Sequence, residues 1–286
     1  MQRRLDFQDH RRALDDNRYI YAVVSRRSAG LSIGVNLNPD KVCNFDCPYC
    51  QVDRATPGGP RGVDIDALRG ELDRLLDLVI SDHLWQVPPF DTARPEHRRL
   101  NDIAFAGDGE PTSARRFADA VNAVADSRDA HGLRAVPLHL LTNATLFHRP
   151  EVEAGLAALD ARGGVIWAKL DAGTEAYFRQ VDGTTLPFDR VLQNLERAAR
   201  ARPIVLQCMF MTLHGQGPDD AEIAAWAGRI RDLLAAGGQI RQVQVYSIAR
   251  RPAEDRVGVL DEGRLRQIGA AAEALGVPVT VIPGVG

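Results

Sequence analysis

From Leu31 onward, short runs rich in Val, Ile and Leu alternate with longer segments whose apolar residues recur at three-and-four spacing. That alternation is the mark of repeated strand-helix units, and repeated strand-helix units build a parallel sheet covered by helices. Strands are expected at residues 31–37, 102–106, 136–141, 165–170, 204–211, 242–248 and 277–282. Helices are expected at 64–84, 114–132, 150–162, 188–201, 219–236 and 261–275. Asp64, Ser113, Asp219 and Asp261 stand where a helix start wants a side-chain acceptor, and Gly132, Gly237 and Gly276 stand where helices end. A further strand at 19–25 can fold back onto the first barrel strand through a turn at 28–30. The expected organisation is an N-terminal extension over residues 1–30 followed by one closed or partly open α/β barrel over 31–286.

The composition fits this reading. The 286 residues are 45% hydrophobic and 26% charged, with 35 Lys+Arg against 38 Asp+Glu for a formal net charge of -3. A near-neutral balance gives no support to a basic nucleic-acid arm. No apolar run approaches the roughly 20 residues that span a bilayer, and the stretch 1–12 is charged throughout, so a cytoplasmic protein without membrane association is expected.

Three of the four cysteines, Cys43, Cys47 and Cys50, fall within eight positions directly after a strand. Such crowding in a reducing compartment points to metal rather than to disulfides. Three thiolates do not complete a structural zinc site, and the nearest histidines, His10 and His83, are more than thirty residues away. Three thiolates can hold three irons of a four-iron cluster and leave the fourth iron open to a ligand.

The spacing C-x3-C-x2-C, with Tyr49 just before the last cysteine, resembles the radical S-adenosylmethionine (SAM) superfamily. Later elements agree in order along residues 31–286, including Gly107 to Thr112, Thr142–Asn143, the run from Trp167 to Glu175, and Leu206 to Met211. Within the superfamily the chain is most similar to the wyosine-synthase-related iron-sulfur oxidoreductases. The resemblance implies a parallel partial (β/α)6 barrel, a [4Fe-4S] cluster on Cys43, Cys47 and Cys50, and S-adenosyl-L-methionine bound at the unique iron. Reductive cleavage of SAM would give a 5'-deoxyadenosyl radical that abstracts hydrogen from a substrate.

By the same resemblance, Tyr49, Gly109, Glu110, Asn143, Lys169 and Asp171 are expected to contact the cofactor. Glu110 suits its ammonium group, because an ammonium needs an acceptor. Asp108 stands where the family has a glycine. Lys169 and Asp171, two apart on a strand, share a face and can also pair with each other. Alternation places Gln207 and Met209 on the face opposite Leu206, Cys208 and Phe210. Gln207, Met209 and Tyr246 then line the active site, and Cys208 is a small buried hydrophobe. Arg250 and Arg251 follow the sixth strand, on the rim.

A one-electron donor such as ferredoxin or flavodoxin is implied. The substrate, whether a small molecule, an RNA or a protein, is left open. Competing readings are an activase that forms a glycyl radical on a partner enzyme and a non-catalytic iron-sulfur electron carrier. A second all-cysteine cluster is excluded by counting, since only Cys208 lies outside the triad.

Overall fold

The computed structural model describes Leu5, residues 17–25 and residues 28–285, and the rest of the charged N-terminal stretch lies outside them. Two compact units are built from interleaved segments: residues 1–42, 57–141 and 149–165 form one, and residues 43–56, 142–148 and 166–286 form the other.

In the first unit, β1 (Ile20–Ser25) runs antiparallel to β2 (Gly30–Val35), as the expected hairpin requires. Helix α1 (Ile65–Ile80) starts at Asp64, whose carboxylate accepts the N–H groups of Asp66 and Ala67. It stops short of residue 84, because the Ser81 hydroxyl donates back to the Asp77 carbonyl at 2.7 Å and Asp82 turns left-handed. Strands β3 (Leu100–Phe105) and β4 (Leu138–Thr142) add in parallel to β2, separated by α2 (Phe117–Ala130), and β4 is followed by α3 (Pro150–Ala161). Ile103 and Phe105 face the helix layer, where the Phe105 and Phe117 rings meet edge to face at 6.2 Å. Ser113 does not cap α2 as expected. It closes a single 3-10 turn at Pro111–Ser113 that begins on Glu110, and α2 starts only after Arg116.

In the second unit, β5 (Val165–Lys169) leads through a turn into α4 (Glu175–Asp182) and α5 (Phe188–Ala201). Then come β6 (Ile204–Met209), β7 (Met211–Leu213), α6 (Asp220–Ala235), β8 (Ile240–Tyr246), β9 (Val257–Val259), α7 (Glu262–Glu273) and β10 (Val279–Ile282). Strands β5, β6, β8 and β10 are parallel in that order. Asp219 and Asp261 cap α6 and α7, and Gly132, Gly237 and Gly276 follow helix ends with positive φ. The expected strand 204–211 is in fact two. The Met209 N–H is taken by a side chain, and Met211–Leu213 pairs antiparallel with β9 in a separate ladder. Helix α4 falls in a stretch that the sequence reading leaves unassigned. Among the described residues no helix is long and apolar enough to cross a membrane.

Candidate active site

The cysteine loop is fixed by its backbone. Cys50 N–H donates to Cys47 O at 2.8 Å, closing a turn across the last two cysteines. The end of α4 forms a seat for the segment before that turn. Asp46 N–H donates to Asp182 O at 3.2 Å, and the Thr184 hydroxyl donates to Asn44 O at 3.2 Å. Between them Gly183 sits at φ +56, and a Cβ built there would stand 1.9 Å from Asp46 O. Only glycine fits both the left-handed backbone and this approach. Phe45 anchors the loop from below, edge to face on Phe178 at 5.5 Å, and Phe178 stacks on Phe188 at 4.7 Å.

All three cysteines of the loop are free thiols, part-buried and in one short segment, which is the donor set a four-iron cluster with one open iron takes. Each sulfur has its own partner in this structure: Cys43 Sγ accepts Phe45 N–H at 3.5 Å, Cys47 Sγ faces Lys169 Nζ at 3.5 Å, and Cys50 Sγ faces Arg54 Nη2 at 3.9 Å. Among the described residues no three metal-ligating side chains converge on one point in this structure.

Lys169 is the hub of the site. Besides Cys47, its ammonium meets Asp171 Oδ2 at 3.3 Å, Asp182 Oδ1 at 3.5 Å and the Tyr49 hydroxyl, and it lies over the Tyr49 ring at 4.7 Å. Burial pulls the ammonium pKa down, but Cys47, Asp171 and Asp182 more than reverse this and hold it well above the usual lysine range. Tyr49 donates to Asp171 Oδ2, while Asp171 Oδ1 accepts Met209 N–H at 2.8 Å. Burial, then Asp171, pushes the Tyr49 phenol well up, so it stays protonated. Burial raises Asp182 to about 7 against the pull of Lys169, and raises the Cys47 thiol to about 12. The expected Lys169–Asp171 pair forms, and Asp182 joins it.

The turn after β5, which carries Asp171, is held from α6 by residues at i, i+4 and i+7. Glu222 accepts the Gly173 and Thr174 N–H groups and the Thr174 hydroxyl, Trp226 Nε1 donates to Leu170 O at 3.0 Å, and Arg229 Nε donates to Gly173 O at 2.8 Å.

Asn143 reaches the same loop from the segment after β4. Its amide donates to Asn44 Oδ1 at 2.7 Å, its carbonyl accepts the N–H and hydroxyl of Thr145, and Asn44 in turn donates to Thr145 Oγ1 at 2.6 Å. Gln207 pairs in register with Lys169 on β5, and the Tyr246 phenol is close enough to raise the pKa values of Tyr49 and Lys169. Cys208 is on the opposite face with Phe210, which packs on Trp226 at 5.2 Å, so it belongs to the core.

Gly109 and Glu110 belong to the first unit. A Cβ on Gly109 would stand 2.1 Å from Val42 O, so the backbone entering the cysteine loop passes over a position only glycine can fill. Asp108, the departure from the family pattern, is locked by Asn36, whose amide donates to Asp108 Oδ2 at 2.8 Å and whose carbonyl accepts Asp108 N–H at 3.1 Å. Glu110, 3% exposed, accepts the Thr112 N–H at 3.1 Å and its hydroxyl at 2.6 Å. Arg251 on the loop after β8 is exposed and pairs with Asp255 at 3.2 Å.

Sequence reasoning misses Asp182, Thr184 and Glu222. The only local signal for the first two is the Asp-Gly pair after an apolar i, i+3 stripe at Phe178 and Val181.

A family model described as Radical SAM superfamily matches residues 37–230. The chain is 24% identical over 187 residues to a protein named GTPase Obg from Brachyspira hyodysenteriae, covering 64% of this chain and 23% of that one. It is 22% identical over 177 residues to UPF0026 protein MJ1312 from Methanocaldococcus jannaschii, covering 61% of this chain and 48% of that one. The matched part therefore spans less than half of the length of these two relatives. Among solved structures the chain is similar to a radical SAM methyltransferase from Sphaerobacter thermophilus, with TM-score 0.61, 14% identity, and 94% of this chain and 70% of that one covered. It is also similar to TYW1 with a lysine-pyruvate adduct bound, with TM-score 0.54, 12% identity, and 85% and 73% covered. These two likenesses show the mostly parallel α/β fold of radical SAM proteins, as expected from the strand-helix alternation. Since the family match takes in more than half of the chain, with the cysteine loop, Glu110, Lys169 and Gln207 inside it, the chain belongs to the radical SAM superfamily of enzymes.

Proposed function

We propose that Cys43, Cys47 and Cys50 hold a [4Fe-4S] cluster and that the chain uses it to cleave SAM and abstract hydrogen from a substrate. The observation that carries this reading is the seating of three free thiols on one backbone-fixed loop beside the buried Lys169, Asp171 and Tyr49 cluster. When bound and reduced by one electron from a ferredoxin- or flavodoxin-type donor, the cluster and SAM supply a 5'-deoxyadenosyl radical.

The chain's own residues orient and insulate that chemistry. Lys169 places its ammonium 3.5 Å from Cys47 Sγ, where it opposes without cancelling the burial that keeps this thiol protonated until a metal displaces the proton. Tyr49 and Asp171 hold Lys169 in place, and Glu110 offers a carboxylate to the cofactor's ammonium. Asn143 ties the loop to the segment after β4, while Gln207 and Tyr246 line the substrate side. A cytoplasmic location goes with this reading, as does electron supply from a separate carrier.

The test is anaerobic reconstitution with iron and sulfide, reduction with dithionite in the presence of SAM, and chromatography for 5'-deoxyadenosine. Wild type is expected to form it and Cys47→Ala is not. Equal amounts from both proteins, or a loaded wild-type cluster whose paramagnetic spectrum does not respond to SAM, would overturn the reading.

A further inference from the structure

One row of residues runs across the second unit at a single height. The register pairs Lys169 on β5 with Gln207 on β6, Gln207 with Gln244 on β8, and Gln244 with Thr280 on β10. Because alternate residues of a strand share a face, this row points to the side of the sheet opposite Cys208 and the helix layer. The row above it holds Met209 and Tyr246, and the row below holds Trp167 and Val205. Layers inside barrels of parallel strands are usually filled by branched apolar side chains, which makes two adjacent glutamines an exception that needs a cause.

Gln207 is 9% exposed and Gln244 3%. Gln207 Nε2 donates to Gln244 Oε1 at 3.1 Å, and neither carboxamide has another side-chain or backbone partner among the described residues. Two carboxamides joined by one hydrogen bond have used one N–H and one carbonyl lone pair. Three N–H groups and one whole carbonyl are left, whichever of the two amides is the donor. None of these remaining groups is sealed away from open space, so although the two side chains are largely buried the pair presents them to a ligand carrying both a donor and an acceptor. Its charge follows from the neighbour in the row. Among the described residues of this row Lys169 is the one cation, and Asp171, Asp182, Tyr49 and Cys47 surround it. An anionic group would meet no uncommitted positive charge.

We infer that Gln207 and Gln244 form the recognition pair for a neutral substrate bearing an amide whose N–H and C=O lie side by side, as in a lactam. This rests on the radical SAM reading for what becomes of the substrate, but the binding step does not require SAM cleavage. The pair touches the amide, and the hydrogen to be abstracted lies elsewhere on the same molecule, toward the row of Tyr246 and the cysteine loop.

The inference is tested on the full reconstituted chain, cluster oxidised, by saturation-transfer NMR with three probes of similar size: 2-piperidinone, 1-methyl-2-piperidinone and cyclohexanone. Only the first has both the donor and the acceptor. It is expected to bind saturably to wild type at least fivefold more tightly than the other two, and Gln244→Leu and the near-isosteric Gln244→Met are expected to abolish that preference. Equal binding of all three probes to wild type overturns the inference without reference to any variant. So does an undiminished lactam preference in a folded Gln244→Met protein. Formation of 5'-deoxyadenosine by wild type is scored separately: its absence alongside a clear lactam preference counts against the radical reading and leaves the recognition pair standing.

Discussion

Replacing Gly183 by alanine asks the seat of the cysteine loop to carry a methyl group where the structure has a backbone oxygen. The new Cβ would lie 1.9 Å from Asp46 O, and contacts under 3.0 Å do not persist, so two stretches of backbone must part by more than about 1 Å. At φ +56 the alanine itself costs about 1–2 kcal/mol. Parting the segments also breaks the Asp46 N–H bond to Asp182 O and the Thr184 bond to Asn44 O, about 1 kcal/mol each. The sum is about 3–4 kcal/mol, a shift of some two to three decades against the seated loop. Asn143 on Asn44, Phe178 on Phe45 and Asp171 on Tyr49 still hold the loop at other points, so residues 44–46 leave their seat locally rather than the protein unfolding. The assay is iron per chain after anaerobic reconstitution, read beside the thermal midpoint. Gly132→Ala is the control, because Gly132 also has positive φ but nothing near its Cβ. Gly183→Ala is expected to retain less than half the iron of wild type with a midpoint close to that of the control. Wild-type iron at a control-like midpoint would refute the reasoning.

Cys208→Ala, on the helix face, is expected to cost about 1 kcal/mol in denaturant unfolding and leave iron content at the wild-type level; loss of iron would make it a ligand. Glu71→Ala removes the acceptor of three backbone N–H groups, those of Arg18, Tyr19 and Ile20, at 2.8–3.0 Å, and is expected to cost about 2–4 kcal/mol in the same measurement. With its thiol at about 12, Cys47 in the metal-free protein is thiolate in only about one molecule in ten thousand at pH 8. Its alkylation by iodoacetamide, followed by peptide mass spectrometry, should therefore be very slow there and rise about tenfold per pH unit up to pH 11; labelling as fast as free cysteine at pH 8 would contradict the burial argument. Glu222→Ala exposes the Gly173 and Thr174 N–H groups without an acceptor, and an unfolding cost of about 2–3 kcal/mol together with weaker iron retention is expected.

The seven parallel strands were legible because each is an apolar run bounded by helical periodicity, and the capping aspartates named the starts of α1, α6 and α7. Helix α4 was not, because eight residues give barely two turns of pattern, too little to separate from a loop. Strands β7 and β9 are three residues each, too short for any periodicity to mark them. Of the residues expected from a spacing or a strand end, Cys47, Lys169 and Asp171 meet in the second unit, while Glu110 lies in the first. Asp182 was not legible, since it enters from a helix end whose existence had to be known first. The signal for Gln244 lies in strand alternation. This residue shares β8 with Tyr246 two residues on, and the same alternation that points Tyr246 inward points Gln244 inward as well.

An eight-residue helix such as α4 is marginal by itself in water, so what fixes it must come from its neighbours. Its start is held by α6: Glu222 binds the Thr174 hydroxyl, and that same hydroxyl accepts the Tyr177 N–H as the helix cap. Its middle is held by Phe178 between Phe45 and Phe188. Its end supplies Asp182 to Lys169 and the seat to Asn44 and Asp46. The helix therefore acts as a strut whose one end is set by α6 and whose other end sets the cysteine loop. Lys169 and Asp171, on the strand and turn that lead into that strut, are fixed by the same α6 face through Trp226 and Arg229. The distances between Cys47, Lys169 and Asp182 are thus decided by side chains of α6 that touch none of the three, and substitutions on its inner face should move the site as a unit rather than one residue at a time.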